Sequence, residues 1–239
     1  MKLLADLHVH SCASADGRSG IDALVEAAKA RELCAITISD HDLCTPLPDS
    51  RGILLIPGVE ITSSNGHILG LFLERPIDFD QLGKYPAPEK AIAAIHLCGG
   101  VAVLAHPFAP QKLTPEQVRA LSLDAIETAN ARAMLHPGAN EAARALAEQL
   151  CLPQTGGSDA HCAEELGGCV TEFSCELSRP AMKAALLAGQ CRAIEVRPCR
   201  WVWKGYSRMR REQACGTLLS RCKALGYFGA CILRDVFRI

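Results

Sequence analysis

The sequence lacks the features of a membrane protein or a secreted protein. No uninterrupted apolar run in its 239 residues approaches 18 residues, so no membrane-spanning helix is predicted. The charge of Asp6 interrupts the N-terminus before a signal-peptide core could form, and cytoplasmic localisation is expected. Thirteen cysteines are present, but their number is odd, their spacing is irregular and no C-x-x-C pair occurs. We therefore expect reduced, mostly buried thiols rather than a disulfide framework.

Charge is distributed unevenly along the chain, although the net charge is only −1. Residues 1–191 carry 14 Lys and Arg against 23 Asp and Glu, whereas residues 192–239 carry 11 against 3. A basic C-terminal segment can bind nucleic acid or another anion, but docking onto the acidic body of its own chain is the favoured interpretation.

Apolar runs of strand length alternate with helical patterns, and 49% hydrophobic residues supply a sizeable core. Strands are predicted over residues 2–7, 34–38, 53–61, 67–73, 101–105, 124–128 and 152–155. Helices are predicted over residues 21–32, 89–98, 115–121, 140–150 and 180–188. A capping box of Ser19 with Asp22 would begin the first helix, and Thr114 before Pro115 would begin the third. The alternation predicts a parallel α/β sheet, either open or closed into a barrel.

One connection is too short for a crossover helix. The segment from Ile61 to His67 contains the turn pair Asn65-Gly66, which predicts a hairpin. In a hairpin, Glu60 near the end of one strand and His67 at the start of the next lie at the same edge of the sheet.

Histidines and carboxylates follow five of the predicted strands, at the carboxyl edge where α/β folds carry their functional loops. The segments are D-L-H-V-H (6–10), S-D-H-D (39–42), G-V-E (58–60), A-H-P (105–107) and G-S-D-A-H (157–161), with Asp16 in the first loop. His8 and His10 share one face of an extended strand, so both imidazoles can bind one ion. Mixtures of imidazole and carboxylate suit Mn, Fe or Zn. The sequence therefore predicts a metal site.

These ordered motifs resemble those of the polymerase and histidinol phosphatase (PHP) superfamily of metal-dependent phosphoesterases. The resemblance spans residues 1–195, the predicted catalytic domain, and leaves residues 196–239 as a basic C-terminal extension, expected to pack on the barrel. It implies an α/β fold, a distorted (β/α)7 TIM-like barrel, with two or three divalent ions at its carboxyl face.

By the same resemblance, nine residues are candidate metal ligands. His8, His10 and Asp159 would hold the first ion, and Asp16, His41 and His161 the second. Glu60 would bridge the first and third ions, and His67 and His106 would complete the third. A metal-bridged hydroxide held by Glu60, Asp159 and His161 would attack the phosphorus atom. Because no ligand position is missing, an active enzyme is expected.

The motif D-L-H-x-H-S with Asp16 is closer to the branch that acts on nucleotides and RNA ends. Histidinol phosphatases usually have a histidine near position 16, which counts against that activity. Nucleotide-acting members commonly carry an inserted domain where this chain has only about 30 residues, between Glu74 and Val101. The resemblance therefore leaves the leaving group of the substrate open.

Substrate contacts are expected from loops at the same face. The candidates are Arg132, Asn130, Arg18 and His136. Arg132 could equally be a surface arginine without a role in binding. Asp40 and Asp42 flank His41 and could orient its second ring nitrogen, or could be solvated loop acids.

The C-terminal extension has two apolar patterns. Trp201 and Trp203 alternate as in an extended segment, where they would form a lid, stack on bases or simply pack. Leu218, Leu219, Cys222 and Leu225 fit an amphipathic helix that packs on the body.

The leading functional prediction is hydrolysis of a small nucleotide phosphomonoester, such as AMP or a nucleoside 3',5'-bisphosphate. The alternatives are an exonuclease trimming short RNA or DNA ends, a histidinol-phosphate phosphatase and a non-catalytic, metal-stabilised binding or proofreading module. The expected partner is a phosphorylated small molecule or short RNA, with no membrane and no obligate protein partner.

Overall fold

A computed structural model describes residues 2–49, 52–108 and 114–237. Its nine strands form one sheet in the order β7-β6-β5-β4-β3-β2-β1-β8-β9. The strands are β1 (Leu3–Val9), β2 (Ala35–Ile38), β3 (Leu54–Ser63), β4 (Gly66–Leu71), β5 (Val101–Leu104), β6 (Ala125–Asn130), β7 (Gln154–Gly157), β8 (Cys169–Phe173) and β9 (Cys191–Glu195). The helices are α1 (Ile21–Lys29), α2 (Phe79–Leu82), α3 (Pro88–Leu97), α4 (Pro115–Ala120), α5 (Ala139–Leu150), α6 (Arg179–Leu187), α7 (Trp201–Cys215) and α8 (Leu218–Phe237).

The sheet curls into a nearly closed barrel. Strands β1, β2 and β3 are parallel to one another, as are β5, β6 and β7, whereas β4 is antiparallel to both of its neighbours. The segment after β7 returns to β1, where Ala160 pairs with Val9 and the N–H of His10 donates to the carbonyl of Ala160 at 2.7 Å. All the parallel strands therefore direct their carboxyl ends to one mouth of the barrel.

The predicted hairpin is confirmed, because β3 and β4 pair antiparallel around Asn65-Gly66. The predicted start of α4 is also confirmed: Thr114 and Gln117 form a reciprocal capping box. The capping box at Ser19 is wrong. Gly20 is the N-cap residue of α1, and the Ser19 hydroxyl instead accepts a hydrogen bond from the N–H of Ala163.

Two antiparallel strands follow the last predicted strand. β8 pairs with β1 and β9 pairs with β8. Neither strand was predicted from the sequence. In β9 the pattern is weak, because the strand is largely unburied and carries Arg192 and Glu195 among its five residues. An edge strand with one pairing partner has little apolar alternation to reveal it.

The C-terminal helices differ from the sequence predictions. Trp201 and Trp203 lie in the first turn of α7, so the extended segment predicted there is wrong. The apolar pattern of the next segment does form a helix, α8, but the face expected to pack on the body is exposed. Leu218, Leu219 and Leu225 expose 80%, 65% and 60% of their surface, and Cys222 is exposed as well.

Helix α8 packs on α7 through another of its faces. Ala224 and Cys231 are its buried residues, and Gly205 of α7 lies so close to Cys231 that a Cβ atom there would be 2.9 Å from the Cβ of Cys231. The carboxylate of Asp235 accepts hydrogen bonds from the first two N–H groups of α7, at 3.0 and 2.9 Å. A carboxylate at this end of a helix stabilises it by satisfying free N–H groups. The two helices therefore support each other.

All thirteen cysteines are free thiols, as expected. Only five of them are buried, four are half-buried and four are exposed, so the prediction that most are buried is wrong. In the part of the chain that the structure describes, no helix has the length and apolar character needed to cross a bilayer.

Candidate metal centre

The nine candidate ligands meet at the mouth of the barrel. His8 and His10 are fully buried at the end of β1, and their Nε2 atoms lie 3.2 Å apart. The Oδ1 atom of Asp159 lies 3.8 Å from Nε2 of His8 and 3.5 Å from Nε2 of His10. These three side chains, which the sequence assigned to one ion, therefore face a common point.

Asp16 lies between two further histidines. Its Oδ2 atom is 3.6 Å from Nε2 of His41 and 3.5 Å from Nε2 of His161. Its Oδ1 atom is buried and has no hydrogen-bond partner among the residues that the structure describes. The three residues assigned to the second ion are thus neighbours as well.

Glu60 is the centre of the cluster. Its Oε1 atom lies 2.7 Å from His67 Nδ1 and 3.0 Å from His106 Nε2, and its Oε2 atom lies 3.1 Å from His41 Nδ1, 3.2 Å from His10 Nε2 and 3.3 Å from His8 Nε2. One buried carboxylate therefore reaches all three groups of candidate ligands, a position suited to bridging ions.

The donor set fits divalent cations. Four groups of three residues each offer ligand atoms within 4.8 Å of one another. The groups are His10, His41 and His161; His8, His10 and Asp159; His8, Glu60 and His106; and His41, Glu60 and His67. Buried polar atoms normally have partners, yet Asp16 Oδ1 and His106 Nδ1 have none among the described residues. Imidazole nitrogens packed this closely with carboxylates suit Mn, Fe or Zn.

The electrostatics of the cluster keep its carboxylates ionised. Burial alone would raise the pKa of Glu60, but His67, His41 and His8 hold this pKa well below its usual value. Burial lowers the pKa of His41 to about 3, so its ring is neutral at neutral pH and one ring nitrogen has a lone pair free to bind an ion.

The backbone is strained at two candidate ligands. His106 and Asp159 have φ angles of 28° and 54°, in the left-handed region that residues with a Cβ atom rarely adopt. Gly157 ends β7 against β1, and a Cβ atom there would lie 2.4 Å from the Cβ of His8. The close approach of these strands is what brings the loop carrying Asp159 to the histidines.

Glu127 of β6 belongs to the site but was missed from the sequence. Its Oε1 atom lies 2.9 Å from Nδ1 of His8, and its Oε2 atom accepts hydrogen bonds from the N–H of His106 and the amide of Asn130, both at 2.9 Å. Carboxylates that hold the second nitrogen of a ligand histidine fix its tautomer. The available signal was a charged residue inside a strand that is otherwise apolar or small.

We expect the substitution Glu127→Gln to lower metal affinity about 10- to 100-fold. Because two donors face the Oε2 position, the amide oxygen would occupy it and the amide nitrogen would face His8. The His8 proton would then move to Nε2, the atom that faces Glu60 and Asp159. Titration of the chelator-stripped protein with Mn²⁺ measures the change, with the exposed Glu176→Gln as control. An unchanged affinity would contradict this role for Glu127.

In the described part of the chain, the carboxylates of Asp40 and Asp42 accept hydrogen bonds from other residues and not from the ring of His41. The Asp40 carboxylate accepts hydrogen bonds from the N–H and the hydroxyl of Ser11, both at 2.7 Å, and from Thr45. Asp42 accepts one from the N–H of Thr62 at 2.8 Å. Among the described contacts, both acids therefore anchor loops, in place of the predicted orientation of a histidine.

Two predicted substrate contacts are engaged within the protein. Arg132 is buried and forms a two-pronged ion pair with Glu165, with contacts of 2.8 to 3.0 Å, and donates to Ser207 at 2.8 Å. Asn130 uses its amide on Glu127 and accepts from the N–H of Ala133. Both line the cleft, but their polar atoms already have partners.

The other two predicted substrate contacts, Arg18 and His136, differ in whether they line the cleft. Arg18 lies outside the cleft, pairs with Glu164 at 3.6 Å and sits over the rings of Trp203 and Tyr206. His136 does line the cleft, where its Nε2 atom accepts a hydrogen bond from Lys204 at 2.7 Å. Its pKa is lowered by burial and by the Lys204 charge.

The cleft above the metal-ligand cluster has a volume of about 610 Å³. Its lining includes seven of the nine candidate ligands, and the C-terminal helices contribute Lys204, Ser207, Arg208, Arg211 and Tyr227. These cations were not predicted from the sequence, although three basic residues at positions i, i+4 and i+7 mark one helix face.

Known protein families match two segments of the chain. The PHP domain matches residues 6–92, and a PHP-associated family matches residues 137–191. An uncharacterised protein of Methanocaldococcus jannaschii is 29% identical over 144 residues, covering 53% of this chain and 81% of that protein.

Solved structures share the fold at low sequence identity. PsfC from Pseudomonas syringae has a TM-score of 0.62 at 22% identity, over 90% of this chain and 99% of that one. A two-domain protein from Bacteroides vulgatus, described as containing a predicted PHP-like metal-dependent phosphoesterase, has a TM-score of 0.62 at 22% identity, over 82% and 65%. A lesion-specific endonuclease from Pyrococcus furiosus has a TM-score of 0.56 at 16% identity, over 81% and 58%. These similarities confirm the predicted barrel.

Proposed function

The chain belongs to the PHP superfamily of metal-dependent phosphoesterases, and on this premise we propose that it hydrolyses a phosphomonoester of a small nucleotide. The observation that carries the proposal is the position of Glu60, one buried carboxylate within 3.3 Å of five histidines. This arrangement supports binding of two or three divalent ions by the nine candidate ligands.

Bound divalent ions supply an activated water near neutral pH and neutralise the phosphoryl oxygens of the substrate. The chain contributes the geometry. Glu127 orients His8, Glu60 joins the three groups of ligands, and Glu165 holds the backbone of His161 through a hydrogen bond of 2.8 Å. Because these carboxylates are nearly or fully buried, the ligands are preorganised before substrate binds.

The second candidate function is trimming of short RNA or DNA ends. The basic wall of the cleft, with Lys204, Arg208 and Arg211, favours it, since phosphodiester chains bind cationic grooves. A nucleotide and the end of a nucleic acid present the same phosphate chemistry to the metal centre, so the assay must separate them.

The test combines metal content with phosphate release. We expect the purified, Mn-replete protein to bind at least two ions and to release phosphate from AMP or adenosine 3',5'-bisphosphate, and dialysis against a chelator to abolish turnover. Histidinol phosphate, p-nitrophenyl phosphate and a short 5'-phosphorylated RNA complete the substrate set. Fewer than two bound ions would refute the metal centre. Two or more ions without turnover of any ester would support a binding module instead.

A further inference from the structure

Helix α7 turns one face toward the metal-ligand cluster. Lys204, Arg208 and Arg211 are spaced at i, i+4 and i+7, so they lie along one side of the helix. All three line the same cleft as seven of the nine candidate ligands, among them His41, Glu60 and Asp159. We call these three residues the α7 cationic face.

The charges of this face are not neutralised within the protein. Three arginines elsewhere around the cleft each have a carboxylate partner: Arg132 pairs with Glu165 at 2.8 Å, Arg18 with Glu164 at 3.6 Å and Arg200 with Asp235 at 3.4 Å. Among the described residues, no Asp or Glu forms an ion pair with the α7 cationic face.

The contacts that this face does make are with uncharged groups. Lys204 donates to His136 at 2.7 Å, and the Arg208 guanidinium lies 4.8 Å from the ring centre of Tyr227. Like charges one turn apart on a helix repel each other, and a cleft focuses their field. An anionic ligand placed here would relieve the repulsion, and ions held by the candidate ligands of the same cleft would bind phosphoryl oxygens.

We propose that the α7 cationic face binds a second phosphate group of the substrate, beside the phosphate ester that is hydrolysed. This inference rests on the proposed function and narrows it to substrates that carry at least two phosphates. A nucleoside bisphosphate and the 5' end of a short oligonucleotide both present this chemistry. A cleft of about 610 Å³ is in the usual range for ligands of such size.

The α7 cationic face lies outside the segments that the two family models match. Residues 201–237 lie beyond both matched segments, which end at residues 92 and 191. Eight of the nine candidate ligands lie within the matched segments and His106 lies between them, whereas the α7 cationic face lies beyond both. Asp235, which caps α7 from α8, and Gly205, which allows the helices to approach, hold the face in place.

The double substitution Arg208→Gln/Arg211→Gln tests the proposal. Both side chains are exposed, so folding should be unaffected. We expect the KM for adenosine 3',5'-bisphosphate, or for a 5'-phosphorylated dinucleotide, to rise at least tenfold, while kcat/KM for p-nitrophenyl phosphate stays within about twofold. The matched control is Arg221→Gln/Lys223→Gln, which removes the same charge from exposed positions of α8 outside the cleft. This control variant should leave KM and kcat/KM unchanged for both kinds of substrate.

Equal changes for the one-phosphate and two-phosphate substrates would overturn the proposal, as would no change for either. A raised KM for adenosine 3',5'-bisphosphate would indicate a small bisphosphate as the substrate, and a raised KM for the 5'-phosphorylated dinucleotide would indicate the end of a nucleic acid. Calorimetric titration with adenosine 3',5'-bisphosphate gives a readout that does not depend on turnover. If the wild-type protein hydrolyses no ester, the proposed function fails, but a tenfold weaker Kd in the double variant would still support the second phosphate site, and an unchanged Kd would refute it.

Discussion

Replacing Glu60 with glutamine is expected to reduce phosphate release about 1000-fold or more, which corresponds to ~4 kcal/mol of lost transition-state stabilisation. The amide fills nearly the same volume but has no charge, and its nitrogen would be a donor facing His67 and His106 or His41, His10 and His8. A carboxylate that joins all three ligand groups has no substitute among the other buried acids of the cluster.

The measurement is kcat on the best nucleotide substrate, together with bound metal counted by elemental analysis. We expect the Glu60→Gln protein to retain fewer ions than the wild type at equal Mn concentration. Glu89→Gln, at an exposed position of α3, is the matched control and should be indistinguishable from wild type. Full activity in Glu60→Gln would show that the chemistry takes place elsewhere.

Replacing Arg132 with methionine is expected to destabilise the protein by about 3 to 5 kcal/mol, because it leaves Glu165 as an unpaired buried charge. Protonation of Glu165 cannot easily remove this charge. Its oxygens also accept from the N–H of His161 and from Cys199, and its pKa lies below the usual value because Arg132 and His161 outweigh the effect of burial. For a chain of this size, a loss of that order lowers the Tm by roughly 10 °C.

Thermal unfolding followed by circular dichroism measures the loss. The double variant Arg132→Met/Glu165→Gln should recover at least half of it, since no unpaired charge remains and the glutamine oxygen can still accept from His161. One result would instead support the prediction from the sequence that Arg132 contacts the substrate. If Arg132→Met were as stable as wild type but had a strongly raised KM, the guanidinium would be a substrate contact.

Several parts of the fold were readable from local pattern alone. The hairpin at Asn65-Gly66 and the capping box at Thr114 depend on residues within one turn, and local chemistry decides both. Local sequence pattern gave wrong predictions where contacts with residues distant in sequence outweigh local preferences. Ser19 bonds to Ala163 and does not cap α1, and the alternation of Trp201 and Trp203 gave no sign that Asp235 caps a helix beginning there.

Five of the candidate metal ligands could be predicted from the sequence because they lie at or just after the carboxyl ends of strands. The carboxyl ends of parallel strands meet at one edge regardless of side-chain detail, so the chain order of His8, His41, Glu60, His106 and Asp159 was enough to place them together. Their chemistry also stands out, since imidazole and carboxylate mixtures are rare at strand ends by chance.

The sequence by itself therefore determined the parallel α/β alternation and a metal site at its carboxyl edge, and its resemblance to the PHP superfamily implied the barrel, the set of candidate ligands and the class of chemistry. Only the tertiary structure decided which charged groups are already paired and which remain free. Arg132 is engaged by Glu165 across 33 positions of the chain, Glu127 reaches His8 across 119, and α7 returns over the barrel mouth to place Lys204, Arg208 and Arg211 in the cleft. Periodicity reports which face a residue occupies within its own element, whereas the pairing of charges depends on how distant elements pack together.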